Sequence, residues 1–148
     1  MDILNNQTVF LNVEGSTKEA ILQAVTQQLE TSGYVKNAKH AYNDIMKREA
    51  EISTGFVSGI AIPHTQSEAV EKTSISIIKP VNSLSWETMD DSDVDLIFLI
   101  CVPLNGLDEH LKILASLAEM LMDEDVIDAL HQIENEDEIV DYIRRKLK

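Results

Sequence analysis

Four histidines, His40, His64, His110 and His131, are the side chains of this sequence best suited to group transfer near neutral pH. Imidazole changes charge in that range and carries a nucleophilic nitrogen when neutral. His64 stands apart from the others. It ends the run Gly59-Ile60-Ala61-Ile62-Pro63-His64, where a proline halts a short apolar strand, so its ring is expected at a rigid sheet end within reach of solvent. Position alone leaves it open between a reactive centre and an ordinary loop histidine. His110 follows Asp108 and Glu109 in the first turn of an expected helix. There it either turns backbone and side-chain donors toward a bound anion, helped by the helix dipole, or is simply an exposed first-turn residue. Arg48 is a third candidate because guanidinium pairs with phosphate oxygens, although a solvated helix charge is the simpler reading of it. His40 and His131 fall in helical stretches and read as structural or solvated. Cys101, the only cysteine, lies in Leu96-Ile97-Phe98-Leu99-Ile100-Cys101-Val102; it reads as a small buried hydrophobe rather than a nucleophile. No spacing of ligand types suggests a metal, and neither a metal nor another cofactor is expected.

The rest of the chain must position these groups. Its 148 residues suit one compact domain, 1–148, and no repeat, low-complexity tract or linker divides it. Aromatic residues make up 5% of it, so the core should be aliphatic. Thr8 to Val13 alternates as a first strand. Ser16, with Glu19 as capping-box partner, should open a helix that stops at Gly33. A second helix is expected from after Asn37 to about Glu51, its apolar stripe made by Ala41, Tyr42, Ile45 and Met46. Residues 53–59 form a loop whose two glycines are free to take positive φ. Strands follow at 60–62, 73–79 and 93–102, with a short extended piece at 83–87. Asp108 should cap a third helix, and two more are expected at 124–132 and 136–147. Strands interspersed with helices, one strand being almost wholly apolar, imply an α/β fold: a mixed central sheet with helices on both faces.

Charge and hydropathy exclude several functions. Twelve basic against 26 acidic residues leave a net charge of −14, which repels nucleic acid and anionic membrane and favours a basic protein partner. The first residues lack the basic region and apolar stretch of a signal peptide, and no apolar run approaches the roughly 20 residues that span a bilayer. A cytoplasmic location without membrane insertion is expected.

At its candidate residues the sequence closely resembles the fructose/mannitol family of phosphotransferase-system (PTS) EIIA domains. The likeness rests on Arg48-Glu49-Ala50-Glu51, Ser53-Thr54-Gly55 and Gly59-Ile60-Ala61-Ile62-Pro63-His64, followed by Asp95-Leu96-Ile97-Phe98-Leu99-Ile100 and His110-Leu111-Lys112-Ile113-Leu114. It covers nearly the whole chain in order and spacing. The resemblance implies a three-layer α/β/α fold and roles for three residues: His64 as the phosphorylated histidine, and His110 and Arg48 as phosphate-binding or assisting groups. It also implies a phosphotransferase component that accepts a phosphoryl group from the carrier HPr and passes it to a cysteine of a separate EIIB. The membrane EIIC is then reached only indirectly. The family resemblance makes Nε2 of His64 the attacking atom, with Nδ1–H donated to a nearby backbone carbonyl. A regulatory, nitrogen-type EIIA, whose phosphohistidine controls partner binding, is the alternative function. Phe56 and Val57 are expected either on a docking surface beside His64 or in the core.

Overall fold

The computed structural model describes residues 3–147. A 3-10 turn at Asn6–Thr8 leads into β1 (Val9–Val13), then α1 (Lys18–Thr31), α2 (Ala38–Glu51), β2 (Ile60–Ala61), β3 (His64–Gln66), β4 (Ser74–Pro80), β5 (Leu96–Val102), α3 (Leu107–Met120), α4 (Glu124–Gln132) and α5 (Glu136–Lys146). The sheet runs β1-β4-β5-β2, with β3 also paired to β5. It is mixed: β4 and β5 are antiparallel, while β1 with β4 and both β2 and β3 with β5 are parallel. Among the described residues, no helix is long and apolar enough to cross a membrane.

All seven residues of β5 are buried, because alternate side chains supply two separate cores. Leu96, Phe98, Ile100 and Val102 meet Ile113, Leu117, Val126, Leu130, Ile139 and Ile143 of α3, α4 and α5. Ile97, Leu99 and Cys101 face Ile21, Leu22, Val25, Leu29, Ala41 and Ile45 of α1 and α2. This is the expected α/β/α arrangement. Each fully buried aliphatic side chain contributes about 1.5–3 kcal/mol of transfer free energy, which is why so few aromatics suffice.

Helix ends follow local side-chain chemistry, with two departures from expectation. Asn37, Asp123 and Asn135 cap α2, α4 and α5 by accepting backbone N–H groups of their first turns. The α1 cap is Thr17, which accepts from Ala20 N at 3.1 Å, rather than Ser16. The chain turns helical one residue later than the capping-box pattern suggested. In α3 the cap position is Gly106, without a side-chain bond. Asp108 instead lies in the first turn, where its charge complements the helix dipole.

Residues 53–62, expected as loop and strand, form a hairpin. Phe56 N donates to Ile60 O at 2.7 Å and Ile62 N to Thr54 O at 3.0 Å. Ser58 and Gly59 at its tip both have positive φ, 56° and 78°, as a type I′ turn requires. Gly55 is glycine for another reason. A Cβ there would stand 2.1 Å from the Glu87 carbonyl oxygen.

Candidate functional site

Helix α2, β3 with the residues just after it, and the start of α3 with the turn before it meet around a cleft of about 460 Å³. Its wall includes His40, Asp44, Lys47, Arg48, His64 and His110. The three residues singled out from the sequence, Arg48, His64 and His110, are thus brought together from three elements distant in the chain. Gln66 helps to hold them so: its side-chain amide donates to Leu104 O at 2.7 Å, tying β3 to the turn before α3.

His64 opens β3, where it pairs with Ile100 of β5. Pro63 restricts Ile62 to extended backbone, which lets the ring fold back on the chain. Nδ1 of His64 lies 2.9 Å from Ile62 O. A carbonyl can only accept, so Nδ1 carries the hydrogen, and in the neutral ring the lone pair is left on Nε2. Burial holds the His64 pKa below its ordinary 6.5; the Ile62 bond opposes this, Arg48 lowers it further and Glu49 raises it.

His110 lies one turn into α3. Its backbone N–H is already spent on Gly106 O at 2.9 Å, so only the side chain can meet a ligand. This corrects the expectation that its backbone donor would serve an anion as well. The two imidazoles stand edge to face, centroids 5.2 Å apart at 67°. His110 is 9% exposed, and its Nε2 is buried with no hydrogen-bond partner among the described residues. Leaving such an atom unpaired costs about 1–3 kcal/mol, which a hydrogen-bond partner in the cleft would recover. Burial, then His64 and then Arg48 hold the His110 pKa down as well. Arg48 donates through Nη1 to Ile52 O at 2.9 Å, which orients the guanidinium beside the cleft. Lys47 and Arg48 stand there against Asp44, Glu51 and Glu68, so acidic groups outnumber the cations and the cleft is not strongly cationic.

A pH dependence follows from the two lowered pKa values. In the unfolded chain both rings bind protons near pH 6.5, whereas in the folded chain they stay neutral to lower pH. Folding stability from this pair is therefore full above about pH 7 and falls as the pH drops through 6.5 toward the folded values. Imidazole C2-proton titration by NMR should place both midpoints below the ordinary 6.5. A midpoint at or above that value for either ring would refute the burial argument.

The remaining candidates are placed as follows. His131 lies at the opposite end of β5, its ring nitrogens 2.9 Å from Ile127 O and from Asp95 Oδ1, and it serves as a structural pin. His40, also read as structural or solvated, stands in the cleft wall. Its Nε2 is 3.3 Å from Asp44 Oδ2, which also accepts the Ser67 hydroxyl at 2.5 Å. The four-residue spacing of His40 and Asp44 on α2 was the available signal for that pair. Cys101 is fully buried, its thiol pushed up to about 12, so it is inert. Phe56 packs partly against the core that holds α3, α4 and α5. Of the exposed apolar residues, Leu104 lines the cleft, Ile52 directly follows its Glu51, and Leu107 and Leu111 share the first turns of α3 with His110.

Two titratable groups that sequence reasoning missed hold the hairpin. Asp90 accepts from Ser58 N at 2.9 Å, and that bond, with the Ser92 hydroxyl, pulls its pKa down to about 2. Its contribution is complete above the ordinary 3.8 and is lost as pH falls through about 2. Glu49, 5% exposed, accepts from Thr54 N at 2.9 Å, Thr54 Oγ1 at 2.5 Å and Trp86 Nε1 at 3.1 Å. As a charge at a helix end it carried no local sign of burial.

The fold is a mixed-sheet α/β/α domain whose cleft brings two imidazoles and a guanidinium together. Residues 2–146 match the family described as "Phosphoenolpyruvate-dependent sugar phosphotransferase system, EIIA 2", and the chain belongs to that family. It is 31% identical over 137 residues to a "PTS system fructose-specific EIIA component" of Haloferax volcanii, covering 93% of this chain and 89% of that one. It is also 31% identical over 145 residues to a fructose-specific EIIABC component of Bacillus subtilis, covering 97% of this chain but only 23% of that protein's length. Among solved structures, the nitrogen regulatory protein IIA-Ntr of Neisseria meningitidis superposes with a TM-score of 0.87 at 25% identity, over 96% of this chain and 97% of that one. The complex of enzyme IIAMTL with phosphorylated enzyme IIBMTL from Escherichia coli gives 0.78 at 26% identity, over 96% and 97%. Its relatives are thus of both the sugar-transport and the nitrogen-regulatory kind.

Proposed function

We propose that residues 1–148 act as one cytoplasmic EIIA domain that carries a phosphoryl group on Nε2 of His64, taking it from phosphorylated HPr and passing it to a cysteine of an EIIB. The observation that carries this reading is the pairing of the two imidazoles. One is held through Nδ1 by Ile62 O, with its lone pair on Nε2; the other stands beside it with Nε2 buried and unpaired among the described residues.

In the transfer, the bond from phosphorus to His64 Nε2 forms as the bond to the donor's imidazole nitrogen breaks. Positive charge then develops on the His64 ring, and the Ile62 carbonyl, already accepting from Nδ1–H, stabilises it. The moving group needs in-line positioning and charge stabilisation more than covalent assistance. His110 Nε2–H and the Arg48 guanidinium are suited to the phosphoryl oxygens. The acid excess in the rest of the cleft keeps the phosphohistidine labile, and the second transfer runs the same exchange toward the acceptor sulfur. Leu104, Leu107 and Leu111, each more than half exposed, offer apolar docking contacts beside the cleft, and the acidic surface draws a basic partner.

Intact mass after incubation with phosphoenolpyruvate, enzyme I and HPr tests the first step. A gain of one phosphoryl group is expected; no gain, with a known EIIA labelled in parallel, would overturn the reading. The likeness to IIA-Ntr, with its TM-score of 0.87, favours a second reading in which the phosphorylated form regulates a target. Loss of the label to an EIIB supports transport. A label stable toward every EIIB tested, with partner binding that depends on it, supports regulation.

A further inference from the structure

Resting on the reading of His64 as the phosphoryl-bearing residue, we propose that Glu49 is its positioning residue: the buried carboxylate latches the hairpin whose Ile62 carbonyl selects the Nδ1–H tautomer of His64. The path is continuous. Glu49 Oε2 and Oε1 accept from the backbone N–H and hydroxyl of Thr54. On the facing arm, Ile62 N donates to Thr54 O at 3.0 Å. Ile62 O then accepts from His64 Nδ1 at 2.9 Å. Three hydrogen bonds in series thus link a carboxylate at the end of α2 to the imidazole, and the nearest covalent route between Thr54 and Ile62 runs around the hairpin tip.

Burying a carboxylate carries a heavy desolvation cost, and an apolar side chain would pack this position without it. Here the cost is met by three donors from two segments. Trp86 Nε1 is the third, and it anchors Glu49 from the loop beyond β4, so the latch does not depend on the hairpin alone. Glu49 does not line the cleft, so it acts through the hairpin and through its charge. That charge favours the protonated His64 ring, against the effect of Arg48.

The test compares Glu49→Ala with Glu49→Gln by imidazole 15N NMR of His64 and by the rate of phosphoryl uptake from HPr. Glutamine keeps an oxygen for Thr54 N–H and Trp86 Nε1, and its amide nitrogen can face the Thr54 hydroxyl, which then accepts. Glu49→Gln should therefore keep the Nδ1–H tautomer and uptake within about threefold of wild type, while the His64 titration midpoint falls further. Glu49→Ala should yield a tautomer mixture and slow uptake by roughly 10- to 100-fold, as misplaced reacting groups do. If Glu49→Ala does not fold, Thr54→Val removes one latch donor and should shift tautomer and rate in the same direction. A folded Glu49→Ala, or Thr54→Val in its place, with wild-type tautomer and rate would overturn the proposal. So would Glu49→Gln as impaired as Glu49→Ala, which would make charge alone the cause. The tautomer comparison is made on unphosphorylated protein, so it decides the role of Glu49 even if wild type fails to take up phosphate.

Discussion

His64→Ala is expected to fold and to take up no phosphoryl group at all. The side chain is only partly buried at the open end of β3, and its removal leaves the Ile62 carbonyl to water at the cleft, a loss of about 1 kcal/mol. Both aliphatic cores are untouched. The chemical loss has no substitute. His110 is the nearest imidazole, but its Nε2 is buried, so it does not offer an exposed nucleophile in place of His64. Intact mass and a thermal melt on the same sample check both halves. A full phosphoryl gain in a folded His64→Ala would move the reactive centre elsewhere. A gain in His110→Ala at a rate reduced by roughly 10- to 100-fold would fit its assisting role.

Gly55→Ala should be the most damaging single methyl in the molecule. The added Cβ would lie 2.1 Å from Glu87 O and 2.9 Å from Glu87 C. Both are backbone atoms, so no rotamer change relieves the overlap. The hairpin must move, at a cost of about 1–3 kcal/mol and a melting-temperature drop of roughly 3–10 °C. Ser53 Oγ also donates to Glu87 O, at 2.6 Å, so the displacement breaks an anchor of the same arm. Thr54 and Ile62 move with it, and phosphoryl uptake should fall by roughly 10- to 100-fold. Gly33→Ala is the control. Gly33 has φ of +84° but nothing within 4 Å of a built Cβ, so it should cost about 1 kcal/mol through backbone strain and leave uptake unchanged. Equal uptake by Gly55→Ala and wild type would show that the hairpin does not set the geometry of His64.

These predictions turn on features that differ in how legible they were beforehand. The span of α2 was readable from Asn37 and the apolar stripe of Ala41, Ile45 and Met46, because a helix cap and its periodicity lie within a few residues of one another. The strand at 96–102 was readable because burial on both faces needs an unbroken apolar run. The place of His64 at a strand end was legible through Pro63, a local constraint on the preceding residue. The hairpin was not. Its turn uses Ser58 at positive φ, a conformation that non-glycine residues rarely adopt, and Gly55 is required by a backbone that returns only at Glu87. The place of His40 in the cleft wall was not legible, because nothing near it in the chain announces a cleft whose facing wall comes from β3 and α3.

The sequence by itself determined the aliphatic two-faced sheet, most helix spans and the acid excess, each of which depends on composition or on neighbours within a few residues; the roles of Arg48, His64 and His110 were implied only by the family resemblance. Only the tertiary structure decided how those side chains meet: the edge-to-face imidazoles, the buried Glu49 shared by Thr54 and Trp86, and the Gln66–Leu104 bond that ties β3 to the turn before α3. Such contacts join segments far apart in the chain. They exist because β5 lies between two cores, and the packing of α1 and α2 on one face and α3 on the other brings the end of α2 and the start of α3 to the same end of the sheet.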